Sequence, residues 1–271
     1  MRISGKTRVI ALIGYPVGQS LSPAMHNSAF ERLGLDYCYV ALPVRPEDLR
    51  DAVRGTKALD FAGANVTVPH KENVIPLLDE VDKEASLIGA VNTVVNKDGR
   101  LIGYNTDGRG FMQGLAEEGI EPGGRNILII GAGGASRAIG HYLSEKAGRL
   151  FLYDIDRKKA GRLASDLGKT KGNVGVKDAP DTGGMDIVIN ATPLGLKETD
   201  PLPFDVSALK PSQTVGDLIY KETPLLGEAK RKGCKTFSGL GMLLWQGVFA
   251  FELWTGVKPP VDVMKKALPE E

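Results

Sequence analysis

Hydrophobic and polar positions along the first hundred residues alternate between short apolar runs and helical patterns. Apolar runs of strand length cover residues 9–14, 37–42 and 63–68, and helical patterns cover residues 24–33 and 47–54. Strands that alternate with helices in this order predict a mostly parallel sheet with helices packed on it. The first part of the chain is therefore predicted to be an α/β domain.

A hairpin is predicted at the end of this first series. Residues 90–96 and 101–104 are rich in residues that favour strands, and the segment between them contains Asp98-Gly99. An Asp-Gly pair between two such runs is typical of a tight β-hairpin turn. We expect this hairpin to form the edge of the first sheet.

A second α/β series follows a helical pattern at residues 108–118. Its predicted strands cover residues 127–130, 150–153, 186–190 and 214–219, and the first of them is the continuous apolar run Ile127-Leu128-Ile129-Ile130. Continuous apolar runs are typical of strands that are buried on both faces of a parallel sheet. We therefore expect two domains, residues 1–106 and a Rossmann-like domain of residues 107–241. The pattern alone does not assign the last helices, residues 240–253 and 261–268.

Composition and charge narrow the possible partners. The 34 Lys and Arg residues nearly balance the 33 Asp and Glu residues, for a net charge of +1, so neither a nucleic-acid nor a membrane-surface partner is indicated. The longest apolar stretch, residues 240–253, is interrupted by Gln246, Gly247 and Glu252 and is shorter than the roughly 20 residues of a membrane span. We expect a cytoplasmic protein.

Cysteine and histidine usage gives no sign of a disulfide scaffold or a metal centre. Cys38 and Cys234 are far apart in the sequence, and we expect both to be reduced thiols. The three histidines lack the spacing of zinc ligands, so no metal cofactor is expected.

A glycine-rich turn directly follows the strand at residues 127–130. The segment Gly131-Ala132-Gly133-Gly134-Ala135 leads into a helical pattern, and such a turn lets backbone N–H groups approach a pyrophosphate. Ser136 occupies a place where a third glycine is common. Asp154 lies 23 residues after Gly131, about where an acidic residue binds the adenosine ribose. The segment predicts a dinucleotide site.

Asp154 also bears on which dinucleotide is bound. A carboxylate there can accept hydrogen bonds from both ribose hydroxyls and would repel the 2′-phosphate of NADP, which favours NAD. The cations Arg157, Lys158 and Lys159 follow closely and could instead approach that phosphate. NAD and NADP therefore both remain open.

Polar residues gather at three places in the first series. Ser20 and Ser22 lie on alternate residues of a loop before a helix, so that both hydroxyls can face one ligand. Asn65, Thr67 and Lys71 span the end of a strand and the expected start of a helix, near the sheet edge where ligands of open α/β sheets bind. The segments at residues 89–93 and 105–108 add an amide and a carboxylate near the domain junction.

These motifs, in this order, resemble the shikimate dehydrogenase family over nearly the whole chain. The matching segments are Ser20-Leu21-Ser22-Pro23, Asn65-Val66-Thr67 with Pro69 and Lys71, Gly89 to Thr93, Asn105 to Gly108, Gly131 to Ala135, Asn190 to Gly195, Asp217 to Tyr220, and Gly239 to Met242 leading to Gln246. The resemblance implies an active site between the two domains and a C-terminal segment, residues 242–271, that joins the first domain.

The resemblance also implies roles for individual residues. Lys71 and Asp107 would form the catalytic pair. The implied substrate-binding residues are Ser20, Ser22, Asn65, Thr67, Asn92, Tyr220 and Gln246. The implied dinucleotide-binding residues are Gly131, Ala132, Gly133, Gly134, Ala135, Asp154, Thr192, Leu218 and Gly239. Hydride transfer to a carbonyl builds negative charge on its oxygen, and a lysine ammonium can both stabilise that charge and donate a proton.

One departure from the family pattern affects the cofactor. NADP-using members resemble one another in an Asn-Arg-Thr segment where this chain has Asp154-Ile155-Asp156, so the arginine that would bind the 2′-phosphate is absent. The expected function is the reversible NAD- or NADP-dependent reduction of 3-dehydroshikimate to shikimate.

Two alternatives differ from that expectation. One is an NAD-preferring quinate/shikimate dehydrogenase. The other is a non-catalytic nucleotide-binding regulator, which would be expected to have lost Lys71 or Asp107, whereas both are present. The sequence does not decide between a monomer and a homodimer.

Overall fold

The chain forms two compact units in the computed structural model, which describes residues 2–169 and 172–269. The first unit holds the described residues up to Gly110 together with those from Leu244 onward, and the second unit is Phe111–Leu243. The sequence suggested boundaries after residues 106 and 241. The two divisions in the structure lie a few residues further along, each inside a helix.

Strands and helices alternate along the described chain. The strands are β1 (Arg8–Gly14), β2 (Tyr37–Pro43), β3 (Gly63–Val66), β4 (Glu80–Val81), β5 (Thr93–Lys97), β6 (Arg100–Tyr104), β7 (Asn126–Ile130), β8 (Arg149–Tyr153), β9 (Val174–Val176), β10 (Ile187–Asn190), β11 (Thr214–Asp217) and β12 (Lys235–Phe237). The α-helices are α1 (Ser22–Leu33), α2 (Leu49–Ala58), α3 (Lys83–Ile88), α4 (Asp107–Glu117), α5 (Gly134–Lys146), α6 (Arg157–Gly168), α7 (Pro224–Arg231), α8 (Leu240–Thr255) and α9 (Val261–Lys266). Short 3-10 helices cover Pro46–Asp48, Ile75–Leu77 and Val206–Ala208.

The first unit contains a mixed sheet with strand order β2-β1-β3-β5-β6-β4. Strand β1 pairs in parallel with β2 and β3, whereas β5 is antiparallel to both β3 and β6. The mostly parallel α/β architecture predicted from the apolar pattern is confirmed. Helix α8 packs on this sheet through Trp254, whose indole Nε1 donates to the Val94 carbonyl at 2.9 Å.

The predicted hairpin forms, but it is not the edge of the sheet. Asp98 and Gly99 both adopt positive φ, 52° and 81°, as a tight turn with this sequence requires. The two-residue strand β4 pairs in parallel with β6 and covers its free side, so the expectation that the hairpin forms the edge is wrong. A strand this short shows no periodicity from which it could be predicted. The pattern also did not reveal the short elements β9, β12, α3 and α7.

The segment after β3 does not start a helix, contrary to the sequence expectation. Residues 67–74 form successive turns, followed by the 3-10 helix Ile75–Leu77. The carbonyl of Val68 accepts from the Tyr15 N–H and that of Lys71 accepts from the Val91 N–H. These hydrogen bonds tie the segment to neighbouring parts of the chain and hold it in its turns.

The second unit contains a wholly parallel sheet with strand order β12-β11-β10-β7-β8-β9. Along β7, Ile127 and Ile129 join one apolar cluster, whereas Leu128 and Ile130 join another. Because successive side chains of a strand point to opposite faces, β7 is buried on both. The prediction of a Rossmann-like parallel sheet is confirmed.

Two further observations concern the described residues. None of their helices is long and apolar enough to cross a membrane. Cys38 and Cys234 are both buried and not bonded to each other.

Candidate active site

Three strands of the first unit bring polar residues together at one end of the strands, which we call the carboxyl edge of the sheet. Asn65 lies on β3 and is paired with Thr93, the first residue of the antiparallel strand β5. Thr93 is paired in turn with Tyr104, the last residue of β6. The carboxyl ends of β3 and β6 and the start of β5 therefore coincide, and Asn92 and Asp107 lie in the segments that flank them.

A largely buried ion pair lies where these strand ends meet. The Lys71 ammonium donates to Asp107 Oδ2 at 2.6 Å, and the two side chains are only 14% and 5% exposed. The neighbouring His70 is fully buried and its Nε2 lies 2.7 Å from the Val44 carbonyl, which holds the turn that carries Lys71. An ammonium has three protons, so two remain to be donated to another group. The pair can therefore hold and transfer a proton.

Asn92 connects this ion pair to the rest of the edge. Its Nδ2 donates to Asp107 Oδ1 at 2.9 Å and to Thr106 Oγ1 at 2.9 Å, and it lies 3.4 Å from Gln246 Oε1. Its Oδ1 accepts from the Thr106 N–H at 2.8 Å. Both oxygens of the Asp107 carboxylate are thus hydrogen-bonded, which keeps the carboxylate in a single orientation.

Gln246 reaches this cluster because two helices approach each other closely. A Cβ added to Gly110 on α4 would lie 2.5 Å from the Gln246 backbone nitrogen on α8. Glycine at residue 110 therefore permits a backbone contact that a larger residue would prevent.

The other predicted substrate-binding residues lie on separate elements of the chain. Ser22 is buried at the first turn of α1, and its N–H donates to Ser20 Oγ at 3.3 Å. Thr67 directly follows β3, and a Cβ on Gly14 would overlap its methyl group. Tyr220 belongs to the second unit, where burial raises the pKa of its hydroxyl.

The glycine-rich turn of the second unit runs between β7 and α5. Gly131 has φ of +105°, and a Cβ there would lie 2.9 Å from the Ala191 carbonyl oxygen. A Cβ on Gly133, at the N-terminus of α5, would meet open space. A strand, a turn made of glycine and alanine only, and a helix N-terminus are the features that bind a pyrophosphate, so these residues fit a dinucleotide.

Asp154 holds this turn in place. Its Oδ2 accepts from the Ala132 N–H at 2.7 Å and its Oδ1 accepts from the Asp156 N–H at 2.9 Å. Each carboxylate oxygen can accept a further hydrogen bond. The next residue, Ile155, is 93% exposed.

The remaining predicted dinucleotide-binding residues lie near a second polar cluster, centred on Asn190. Asn190 Oδ1 accepts from the Thr192 hydroxyl at 2.7 Å, and its Nδ2 donates to Asp217 Oδ1 at 3.1 Å. Asp217 is fully buried, and burial raises the pKa of its carboxyl although three hydrogen bonds oppose the change. Gly239 lies so close to Leu218 that an added Cβ would be 2.1 Å from the Leu218 carbonyl oxygen.

Sequence reasoning gave no separate role to several residues of these clusters. Thr93, Thr106, Asn190 and Asp217 lie inside the quoted motifs, and their buried hydrogen bonds became visible only in the structure. Tyr39, whose hydroxyl donates to Asn65 Oδ1 at 2.7 Å, lies in an ordinary strand pattern that carried no signal. Among the described residues, no group of three or more His, Cys, Asp or Glu side chains could hold a metal ion.

Family models and curated relatives match this chain to the same family. A model of the shikimate dehydrogenase substrate binding domain matches residues 12–94, and a model of the shikimate 5′-dehydrogenase C-terminal domain matches residues 239–268. The chain is 46% identical to the shikimate dehydrogenase (NADP(+)) of Desulforamulus reducens, and the alignment covers 98% of this chain and 96% of that relative.

Two solved structures are also similar over nearly their whole length. Shikimate 5-dehydrogenase from Listeria monocytogenes, in complex with shikimate and NAD, is 39% identical with a TM-score of 0.87, and 98% of each chain is covered. Quinate dehydrogenase from Corynebacterium glutamicum, in complex with NAD, is 34% identical with a TM-score of 0.88, covering 96% of this chain and 98% of that one.

Proposed function

The chain belongs to the shikimate dehydrogenase family, and we propose that it catalyses the reversible NAD- or NADP-dependent reduction of 3-dehydroshikimate to shikimate. The observation that carries the proposal is the buried pair of Lys71 and Asp107, hydrogen-bonded to Asn92. The pair combines a proton donor with a fixed carboxylate at one sheet edge.

Lys71 acts as the proton donor in the reducing direction. A bound nicotinamide supplies the hydride for this reduction, or accepts it in the reverse direction. As the carbonyl oxygen gains negative charge, the Lys71 ammonium stabilises that charge and transfers a proton to the oxygen. The resulting neutral amine regains a proton from solvent. In the oxidising direction the amine removes the hydroxyl proton.

Asp107 orients both the lysine and the substrate. Its Oδ2 accepts from Lys71 and its Oδ1 accepts from Asn92, and each oxygen retains capacity for one more donor. We assign to it a hydrogen bond from the substrate hydroxyl beside the reacting carbon. Fixing the reactants in this way contributes to the rate by orientation.

Hydroxyl and amide side chains bind the rest of the substrate. Ser20 and Ser22 hold the carboxylate, and the remaining contacts to the carboxylate or the hydroxyls come from Thr67, Asn92, Tyr220 and Gln246. The buried contact between Asn92 and Gln246 supports this assignment because it brings two amide groups together beside the ion pair.

We further propose that NAD is the preferred cofactor. Asp154 bears a carboxylate where the ribose would bind, and the exposed Ile155 offers no cation to a 2′-phosphate. Of the cations considered as substitutes, Arg157 is paired with Asp178. The dinucleotide is held by the turn Gly131–Ala135 with Asp154, and by Thr192, Leu218 and Gly239.

A double substitution tests the cofactor assignment. Asp154→Asn with Ile155→Arg removes a carboxylate and adds a cation, and should raise the ratio of kcat/KM for NADP to that for NAD by about tenfold or more. Leu59→Arg, which adds one cation at an exposed residue of the first unit, is the control and should leave the ratio unchanged. An unchanged ratio in the double variant would show that the ribose binds elsewhere.

The function itself is tested by steady-state kcat/KM for shikimate and for quinate, each measured with NAD and with NADP. We expect kcat/KM to be higher for shikimate than for quinate, and higher with NAD than with NADP. A higher value for quinate with NAD would favour the quinate/shikimate alternative. Absence of activity with both substrates and both cofactors would overturn the proposal.

A further inference from the structure

A continuous line of hydrogen bonds runs through the interior of the first unit to the Lys71–Asp107 pair. Asn65 stands near its middle and is only 4% exposed. Its Nδ2 donates to the Asn92 backbone carbonyl at 3.0 Å and to Thr93 Oγ1 at 3.1 Å, and its Oδ1 lies 2.7 Å from the Tyr39 hydroxyl. A carbonyl can only accept, so the amide of Asn65 has one possible orientation.

The orientation of Asn65 determines the direction of the next bond. Because Thr93 Oγ1 accepts from Asn65, its own proton is free to be donated to Asn92 Oδ1, 2.9 Å away. The N–H of Thr106 also donates to Asn92 Oδ1 at 2.8 Å. The Thr106 hydroxyl also lies within donating distance of this oxygen, at 3.2 Å, so three donors face it and turn the Asn92 Nδ2 toward Asp107 Oδ1.

The opposite end of the line lies at Tyr39, which is 1% exposed and donates its hydroxyl proton to Asn65 Oδ1, 2.7 Å away. From Tyr39 to Asp107 every hydroxyl or amide donates in the same direction. Hydrogen bonds aligned in this way strengthen one another in a buried environment.

We propose that Thr93, Asn65 and Tyr39 are positioning residues that fix the Asn92 amide so that its Nδ2 faces Asp107. This inference rests on the proposed function of the Lys71–Asp107 pair. It gives Asn65 a role through Asn92, without contact with the substrate, because its amide is already engaged by Tyr39, Thr93 and the Asn92 carbonyl.

Loss of these aligned hydrogen bonds would allow the Asn92 amide to turn over. If the Asn92 amide turned over, its Oδ1 would face the Asp107 carboxylate and its Nδ2 would face the Thr106 N–H. Both arrangements place like partial charges together. Asp107 would lose a donor and could no longer hold Lys71 in one place. The main effect should fall on turnover, since the direct substrate contacts remain.

Thr93→Val tests the proposal because it preserves side-chain shape and removes only the hydroxyl. We expect kcat for shikimate oxidation to fall about 10- to 100-fold while KM changes by less than about threefold. Thr93→Ser, which restores the hydroxyl, should return kcat to within about threefold of the wild type. Tyr39→Phe removes the donor at the far end and should give a smaller loss of kcat, so it provides the test if Thr93→Val does not fold.

Thr56→Val is the matched control. Thr56 is also buried in the first unit, but its hydroxyl bonds only within α2, to the Ala52 carbonyl at 3.0 Å. The Thr56→Val protein should have a lower free energy of unfolding and an unchanged kcat. A folded Thr93→Val protein with wild-type kcat, or a Thr93→Ser protein as impaired as Thr93→Val, would overturn the proposal.

A second measurement separates this inference from the proposed function. By NMR on nitrogen-labelled protein, the Asn92 side-chain amide protons should exchange slowly with solvent in the wild type and faster in Thr93→Val, whatever the substrate is. Equal exchange would overturn the inference. A wild-type protein inactive with shikimate, yet with this difference in exchange, would overturn the proposed function alone.

Discussion

His26 should make the stability of the first unit depend on pH. The side chain is fully buried, neither ring nitrogen has a hydrogen-bond partner among the described residues, and the ring stacks on Tyr39 with centroids 4.6 Å apart. Trp254 contacts it edge-on at 5.3 Å. Burial lowers the pKa of His26 from 6.5 to about 3, because nothing in this apolar contact compensates a charge.

The size and sign of the effect follow from this difference in pKa. Below pH 6.5 the unfolded chain binds a proton at His26 that the folded unit excludes, so stability present above that pH is lost as the pH falls toward 3. The whole difference corresponds to about 5 kcal/mol, and the part reached by about pH 5 corresponds to about 2 kcal/mol.

Urea unfolding of the wild type and of His26→Leu at about pH 7.5 and about pH 5 measures this effect. Both tryptophans, Trp245 and Trp254, belong to the first unit, so their fluorescence reports its unfolding. The wild type should lose about 2 kcal/mol more than the variant between the two pH values. His26→Phe, which keeps an aromatic ring, is a second non-titrating variant. An equal loss of unfolding free energy between the two pH values in all three proteins would refute the reasoning.

Two further substitutions test how helices pack in the first unit. Gly110→Ala should lower the free energy of unfolding by about 1–3 kcal/mol, because its methyl group would meet the backbone of Gln246. Gly55→Ala, on helix α2 of the same unit with open space at that position, is the control and should raise the free energy of unfolding by about 0.5–1 kcal/mol in urea titrations. Trp254→Phe should lower the free energy of unfolding by about 1–3 kcal/mol, because the hydrogen bond to the Val94 carbonyl is lost. Unfolding of this variant is followed by circular dichroism. An unchanged midpoint for Gly110→Ala or Trp254→Phe would contradict these contacts.

Local signals predicted much of the fold because they depend on neighbouring residues. The Asp98-Gly99 turn and the strand before Gly131 are examples, since a turn residue or a continuous apolar run constrains the backbone wherever it occurs. Strand β4 escaped prediction because its two residues acquire a strand conformation only by pairing with β6. The turns at residues 67–74 depend likewise on carbonyls that accept from distant N–H groups.

The candidate site could be predicted only as a set of motifs. Sequence reasoning brought Lys71, Asn92 and Asp107 together by resemblance, and the structure adds their hydrogen bonds. The contribution of Tyr39 was out of reach, because a tyrosine in a half-apolar strand looks like ordinary packing. Its hydroxyl meets Asn65 only once β2, β1 and β3 are assembled side by side.

The most direct test of the account is a single-turnover measurement on Lys71→Met. Reduced cofactor is followed by stopped flow after shikimate is mixed with an excess of enzyme and oxidised cofactor, and shikimate affinity is measured by tryptophan fluorescence. We predict rapid formation in the wild type and a rate lower by about 100-fold or more in the variant, with affinity changed by less than about fivefold. Equal rates in the two proteins, or no reduced cofactor formed by the wild type, would contradict the central claim that Lys71 transfers the proton in this dehydrogenation.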